Sequence, residues 1–462
     1  MINFFQFKIN KNHVKYFLIF GWISCWASLS FSPYNLIFFT ENTDLSNLTK
    51  HTLFKFFDIG RGLFQIIYLP VLIVLSLILN KRKKIFFKLD SFYFLFLIIF
   101  LIEIFSTLKS DNPNINIYFI ICSLNIILTL FLLKNFFPLN NLFLIFKVSI
   151  IILVGILIFF GTQYFIVALR DGINIYGSWG NINKYLYDVP RPTGLARTAL
   201  ICFIFFVNIK FFKKSFDKIN FIIIIISSVL VILLSSRTIV FLFFLYIIFH
   251  IFYFKIFKLK NLFILLKNFI LIPFVVIVLF ESLHKISKNY TLNGKIGNTL
   301  NFSLKDIARD YPEIKKKHCN GHYVYCFKGV QKSDFTNNRL RDWKNILKYN
   351  ENILLGNGVL GDRYLIKQSA SNLVLYTFSS SGLVGLLIIL CISLIAFFKV
   401  YKNIFTNKPK FEPYKYVGSI IIIILILRSI LETSYGVFGI DFILFCLCFT
   451  LITTNKNTHE SN

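Results

Sequence analysis

The feature that most limits what this chain can become is a succession of apolar runs, each close to bilayer-crossing length, separated by charged segments. They read as helices at Val14 to Phe39, Phe54 to Leu79, Phe92 to Leu108, Ile115 to Leu133, Leu142 to Phe165 and Thr193 to Phe212. Six more follow, at Phe221 to Leu234, Ile239 to Phe254, Leu262 to Phe280, Leu373 to Val400, Gly418 to Leu431 and Phe438 to Ile452. In hydrocarbon the backbone must satisfy its own N–H and C=O groups, so these runs predict an all-α polytopic membrane protein with about twelve spans. At 56% hydrophobic and 18% aromatic over 462 residues, the chain exceeds what a soluble core needs. The abundance of Ile, Phe, Lys and Asn ignores position and reads as codon bias, so composition sets the class and says nothing of function.

Lysine placement orients the spans. Lys8, Lys11 and Lys15 precede the first, Lys81 to Lys84 follow the second, and Lys210 to Lys218, Lys255 to Lys267 and Lys399 to Lys415 follow later ones. These short basic loops belong in the cytoplasm, with both termini, while the acidic or neutral loops Glu41 to Lys50 and Lys109 to Asn114 face outward. The first run lacks a small-residue cleavage site and is expected to be retained as a span. Two large loops, Ile166 to Pro192 and Glu281 to about Asn372, then fall on the outer face. The chain divides into residues 1–280 with about nine spans, a long outer loop at 281–372, and 373–462 with about three spans. The formal net charge of +29 does not indicate a nucleic-acid partner, because its lysines lie in short inter-helix loops and no soluble basic domain carries them. No matching pair of Gly/Pro-broken spans occurs in the two halves, which weighs against a secondary transporter.

In a chain that uses Lys by default, Arg is the informative cation. Only Arg82 falls in a cytoplasmic loop. Arg61, Arg170, Arg191, Arg197, Arg237, Arg309, Arg339, Arg341, Arg363 and Arg428 lie on the outer face or near that end of a helix. A guanidinium matches phosphate oxygens bidentately, so the cluster points to a diphosphate or acidic-glycan site; pairing with loop carboxylates or lipid headgroups is the simpler alternative. Arg191 and Arg197 bracket a segment in RPTGLARTAL where Pro192 can open a helix, and Arg237 lies in LLSSRT, a tight outward turn. In RSILETSYGVFGID, Arg428 and Glu432 are spaced i, i+4, which predicts a mutual ion pair on one helix face; the alternative makes Glu432 a base, with Tyr435 and Asp441 in the same turn. No D-x-D pair stands on the outer face and CNGHYVYC is too tight for zinc, so neither a metal nor a cofactor is expected. Cys319 and Cys326 are expected to form a disulfide in an oxidising compartment, with two free packing cysteines as the alternative, and His322 is expected to be exposed between them.

The stretch from Asn337 to Gly385 carries a polar segment back into an apolar run. Arg339, Arg341, Asp342 and Trp343 come first, then a glycine turn (Gly356, Gly358, Gly361), then Ser369 to Asn372 leading into Leu373. R-x-x-x-W, G-x-G, a polar tetrad ending in Asn and G-x-x-G, with the Arg191/Arg197 and Arg237 motifs before them, resembles the O-antigen polymerase and ligase family. The resemblance covers roughly Arg191 to Gly385, with weaker continuation through Arg428 and Glu432. It implies a metal-independent inverting glycosyltransferase of C-type architecture, with one long periplasmic loop over the site, in the bacterial inner membrane. The implied donor is an undecaprenyl-diphosphate-linked oligosaccharide, the acceptor a lipid-linked sugar hydroxyl, and a chain-length regulator protein a further partner. Arg191, Arg197, Arg237, Arg339, Arg341, Asn372 and Arg428 are expected to bind substrate, with Glu432 ahead of Asp342 as the catalytic carboxylate. Where the family's ligases carry His-Asn, this chain has Ser371-Asn372, and a serine cannot take up a proton at neutral pH as imidazole can. Polymerase is therefore expected ahead of ligase, with a polysaccharide or lipid transporter as the non-enzymatic alternative.

Overall fold

Proline opens three of the helices, where its missing N–H has no partner to lose: α4 (Pro113–Phe136), α6 (Pro192–Lys213) and α13 (Pro413–Ser429). A computed structural model describes residues 11–30, 52–83, 90–108, 113–171, 192–213, 218–234, 236–254, 270–293, 339–350, 352–366, 369–406 and 413–454. Its other helices are α1 (Lys11–Ser30), α2 (Thr52–Lys83), α3 (Ser91–Thr107), α5 (Leu139–Asp171), α7 (Lys218–Leu233), α8 (Arg237–Tyr253) and α9 (Ile272–Asn293). Then come α10 (Arg339–Tyr349), the short α11 (Gly361–Ile366), α12 (Leu373–Tyr401) and α14 (Ile440–Thr453). No strand occurs among the described residues, and each of the apolar runs expected to be helical contains a helix. Four helices among the described residues are long and apolar enough to cross a membrane, through Gly62–Leu79, Asn116–Phe136, Leu139–Phe165 and Leu373–Phe405. α9 continues to Asn293, past the expected end of its run at Phe280.

Helices at the rim differ from those at the centre in what their faces meet. α12 presents Leu383, Leu387, Leu394 and Phe398 outward, a stripe at helical spacing, whereas α14 buries every residue from Asp441 to Leu451. Phe92 of α3 stacks on Phe449 of α14 with ring centroids 3.7 Å apart, and Tyr93 meets Thr450 through a 2.7 Å hydrogen bond. Other apolar helices are joined the same way: Trp22 donates to Ser149 at 2.9 Å, Asn125 to Gln65 at 2.9 Å and Asn208 to Tyr246 at 2.8 Å. With lipid as apolar as a leucine side chain, such bonds and close packing hold the bundle, at roughly 0.6 kcal/mol per bond.

α12 is not the continuous span expected from the sequence. Gly382 breaks it with φ 64° and ψ −162°. The glycine turn seats itself against the break: Asn357 N–H donates to Ser379 C=O and Gly358 N–H to Ser380 C=O, each at 2.9 Å, while Leu383 N–H donates to Ile353 C=O at 2.8 Å. Backbone groups released by the break are thus satisfied by the loop, which is what irregular backbone within an apolar bundle requires. Gly356 has φ 72°, and a Cβ there would lie 2.4 Å from the Ser380 carbonyl carbon, so both its conformation and its space demand glycine.

Candidate functional site

α13 and α14 are joined by a short turn, and α13 also packs along α6, so the end of α13 and the starts of α6 and α14 lie together. Arg197 lies in the second turn of α6, Arg428 next to last in α13 and Asp441 second in α14. Asp441 is 1% exposed and joins the two cations: its Oδ1 lies 3.2 Å from Arg197 Nη1, and its Oδ2 accepts from Arg428 Nη1. Arg428 is buried and Arg197 partly so, and two guanidiniums brought this close would repel each other without the carboxylate between them. The Nε atoms of Arg197 and Arg428 are buried and have no hydrogen-bond partner among the described residues. Buried donors of this kind are rare in a folded protein, and both belong to cations.

A second, more accessible pair adjoins it. Arg339, the first residue of α10, places Nη2 3.8 Å from Glu432 Oε1, with the two side chains 29% and 26% exposed. The cluster therefore joins three guanidiniums to two carboxylates, with one net positive charge. The ion pair expected between Arg428 and Glu432 is not formed. α13 ends at Ser429 and the chain turns, with Leu431 N–H donating to Arg428 C=O at 3.0 Å, so the two residues do not share a helix face and Arg428 takes Asp441 instead.

The remaining expected residues divide. Asn372 caps α12, its Oδ1 accepting from Leu375 N–H at 3.1 Å, and its Nδ2 donates to Ile430 C=O at 2.7 Å, so its side chain ties the polar tetrad to the end of α13. Asp342 is half-buried in the first turn of α10, and the backbone of Arg341 lies in the same helix. Arg237 opens α8 exposed and makes no ion pair with the cluster. Arg191, Cys319, Cys326 and His322 lie outside the described residues.

The segment that delivers Arg339 is clamped at Ala370. Trp343 Nε1 donates to its C=O at 2.9 Å, and its N–H donates to Asp362 Oδ2 at 2.7 Å. Asp362 also accepts from Arg363 N–H at 2.9 Å, yet burial outweighs both bonds and pushes its carboxyl up to about 6.

Glu103 of α3 was not singled out from sequence, although it stands as a lone acid in LIIFLIEIFSTL, and ionisable residues inside apolar spans are functional by default. It is 5% exposed and accepts from Ser381 Oγ at 3.2 Å, beside the break in α12. Asp441 is a similar case, a single acid three residues inside the apolar run that begins at Phe438.

No protein-family model matches the sequence, and no curated protein matches it significantly. The fold and the site define an all-helical membrane protein with an arginine–carboxylate cluster assembled at one end of its bundle.

Proposed function

We propose that the chain is an O-antigen or polysaccharide repeat-unit polymerase with about twelve spans and C-type architecture, its cluster facing the periplasm from the bacterial inner membrane. The observation that carries this reading is the pair of buried, unpartnered Nε donors on Arg197 and Arg428, next to the more open Arg339 and Glu432. Such donors suit the oxygens of a diphosphate. In the proposed reaction the acceptor sugar hydroxyl attacks the anomeric carbon of the donor glycan from the face opposite the phosphate. The bond from that carbon to the phosphate oxygen breaks, undecaprenyl diphosphate departs with the electron pair, and the hydroxyl proton passes to a carboxylate. Glu432 is assigned that role ahead of Asp342, because it stands partly exposed against Arg339 beside the buried pair. Charge grows on the departing diphosphate, so guanidiniums fixed in advance by Asp441 favour the transition state over the ground state.

The test is repeat-unit polymerisation in membranes with protein amounts matched. Arg339→Ala is expected to cut the rate on the order of 10²-fold, and Arg339→Lys nearly as much because the planar fork is lost. Glu432→Gln is expected to abolish chain extension. Near-normal ladders from Arg339→Ala and Glu432→Gln together would remove the polymerase reading. A transporter is the second reading, favoured by the break in α12, since discontinuous spans carry the binding sites of many transporters. Purified protein that lengthens a lipid-linked repeat unit without an energy source decides for the polymerase.

A further inference from the structure

α10 turns one face to the protein and the other away from it. Ile346 is buried, Trp343 donates to Ala370 C=O, and Asn350 just past the helix donates from Nδ2 to Phe378 C=O at 3.1 Å. The opposite face carries Leu340, Lys344, Leu347 and Lys348 at helical spacing, all exposed. Tyr349 is exposed beside them, with Lys348 Nζ 5.3 Å from its ring centre. The loop that follows is apolar on its outer side, where Ile353, Leu354 and Leu355 are exposed in a row, Leu354 by 63%. A single exposed leucine needs no explanation, whereas a run of them marks an interaction surface.

α12 supplies the reason to assign this surface to lipid. Its outward stripe runs from Leu383 to Phe398 before Lys399 and Lys402, a length of about 22 Å at the helical rise. The hydrocarbon of a bilayer is ~30 Å thick, so the stripe falls short of it. Toward Leu373 the helix exposes Val374 alone, and there the 352–358 loop is bonded along it. Ser379 C=O and Ser380 C=O accept from the loop, and Leu383 N–H donates to Ile353 C=O at 2.8 Å. Over the missing length the cover of α12 must therefore present its own outer face to acyl chains, and Ile353 and Leu354 belong to that cover. α3 ends beside the same loop, Ser106 donating to Leu355 C=O, and exposes Phe105 and Leu108 there.

We propose that α10 and the 352–358 loop form a lipid-docking surface, with Ile353 and Leu354 in the acyl chains of the leaflet opposite Lys399 and α10 along the headgroups. Tyr349 then stands at the boundary, where an amphipathic ring is favoured. The ammonium groups of Lys344 and Lys348 reach phospholipid phosphates while their stems lie on apolar surface. Docking holds α10 at the membrane surface, and with it Arg339, whose Nη2 lies 3.8 Å from Glu432 Oε1. The inference rests on the membrane class of the protein and not on glycosyl transfer.

The test places benzoylphenylalanine, which inserts into C–H bonds on irradiation, singly at Leu347, Ile353 or Leu354 of the full-length protein, with Leu387 on the α12 stripe as reference. Each protein is reconstituted in vesicles of phosphatidylethanolamine and phosphatidylglycerol, irradiated and weighed by mass spectrometry. The expected result is an added mass of one phospholipid at Ile353 and Leu354, as at Leu387. Absence of that adduct at both positions while Leu387 gives it would overturn the proposal. A covalent dimer in its place would assign the face to a second copy, and an internal crosslink to another part of this chain; either result also overturns it. If one position does not accept the large side chain, its neighbour decides, because both face outward. Lys344→Gln with Lys348→Gln is expected to lower the share of anionic phosphatidylglycerol in the Leu347 adduct, and an unchanged share would refute the lysine contacts. Repeat-unit ladders can be absent while the lipid adducts form, so this proposal and the polymerase reading fail separately.

Discussion

Asp441 and Asp362 are the same residue, each 1% exposed, and the structure keeps them buried in opposite ways. Asp441 lies between Arg197 and Arg428, so two guanidiniums compensate its burial and it compensates theirs. Asp362 has no ion pair among the described residues and receives backbone N–H groups, those of Ala370 and Arg363 among them, which do not offset burial. The difference teaches where each belongs. A carboxylate enclosed by cations holds a charged site together, whereas one held by amides shapes a loop and responds to pH.

The largest effect should come from breaking the first arrangement. Asp441→Asn keeps the shape but removes the carboxylate shared by the buried Arg428 and the partly exposed Arg197, leaving only the more distant Glu432 to face them, and the stability measured by thermal unfolding in detergent should fall by about 3 kcal/mol. A loss below about 1 kcal/mol would mean that the pairs are mere surface contacts and would erase the contrast.

The next effect concerns Asp362 and has a definite sign. Its folded-state value of about 6 lies above the ordinary 3.8, so its contribution is fully present below that ordinary value and is lost as pH rises through about 6. Wild-type stability should therefore decline between pH 4 and pH 7 by on the order of 3 kcal/mol. Asp362→Asn should flatten this slope, and an undiminished slope in that variant would assign the pH response to another group. The smallest effect is at the other side of the same clamp. Trp343→Phe removes the hydrogen bond to Ala370 C=O while keeping an aromatic ring, for a loss of about 1 kcal/mol in the same unfolding measurement.

Much of the helical framework was legible because apolar runs of bilayer length leave the backbone one economical choice, and prolines such as Pro113, Pro192 and Pro413 mark where helices can begin. The glycines of the 352–361 turn were also visible as a turn. Their partner was not, because a break at Gly382 inside an apolar run looks in one dimension like any small residue in a span. For the site, Arg197, Arg339, Arg428 and Glu432 could be named from their rarity and position. Their pairing could not: the i, i+4 rule presumes that α13 continues to Glu432, and it stops at Ser429.

The sequence by itself determined the all-helical membrane class, the helical segments and the presence of arginines near helix ends. Those properties are local or additive, set by the cost of an unsatisfied backbone in hydrocarbon and by charge placement along the chain. Only the tertiary structure decided that Arg428 meets Asp441, that Arg339 of α10 reaches Glu432, and that Glu103 meets Ser381 beside the break in α12. Each of these depends on which helices lie side by side, and residues far apart in the chain become neighbours through packing that no local pattern records.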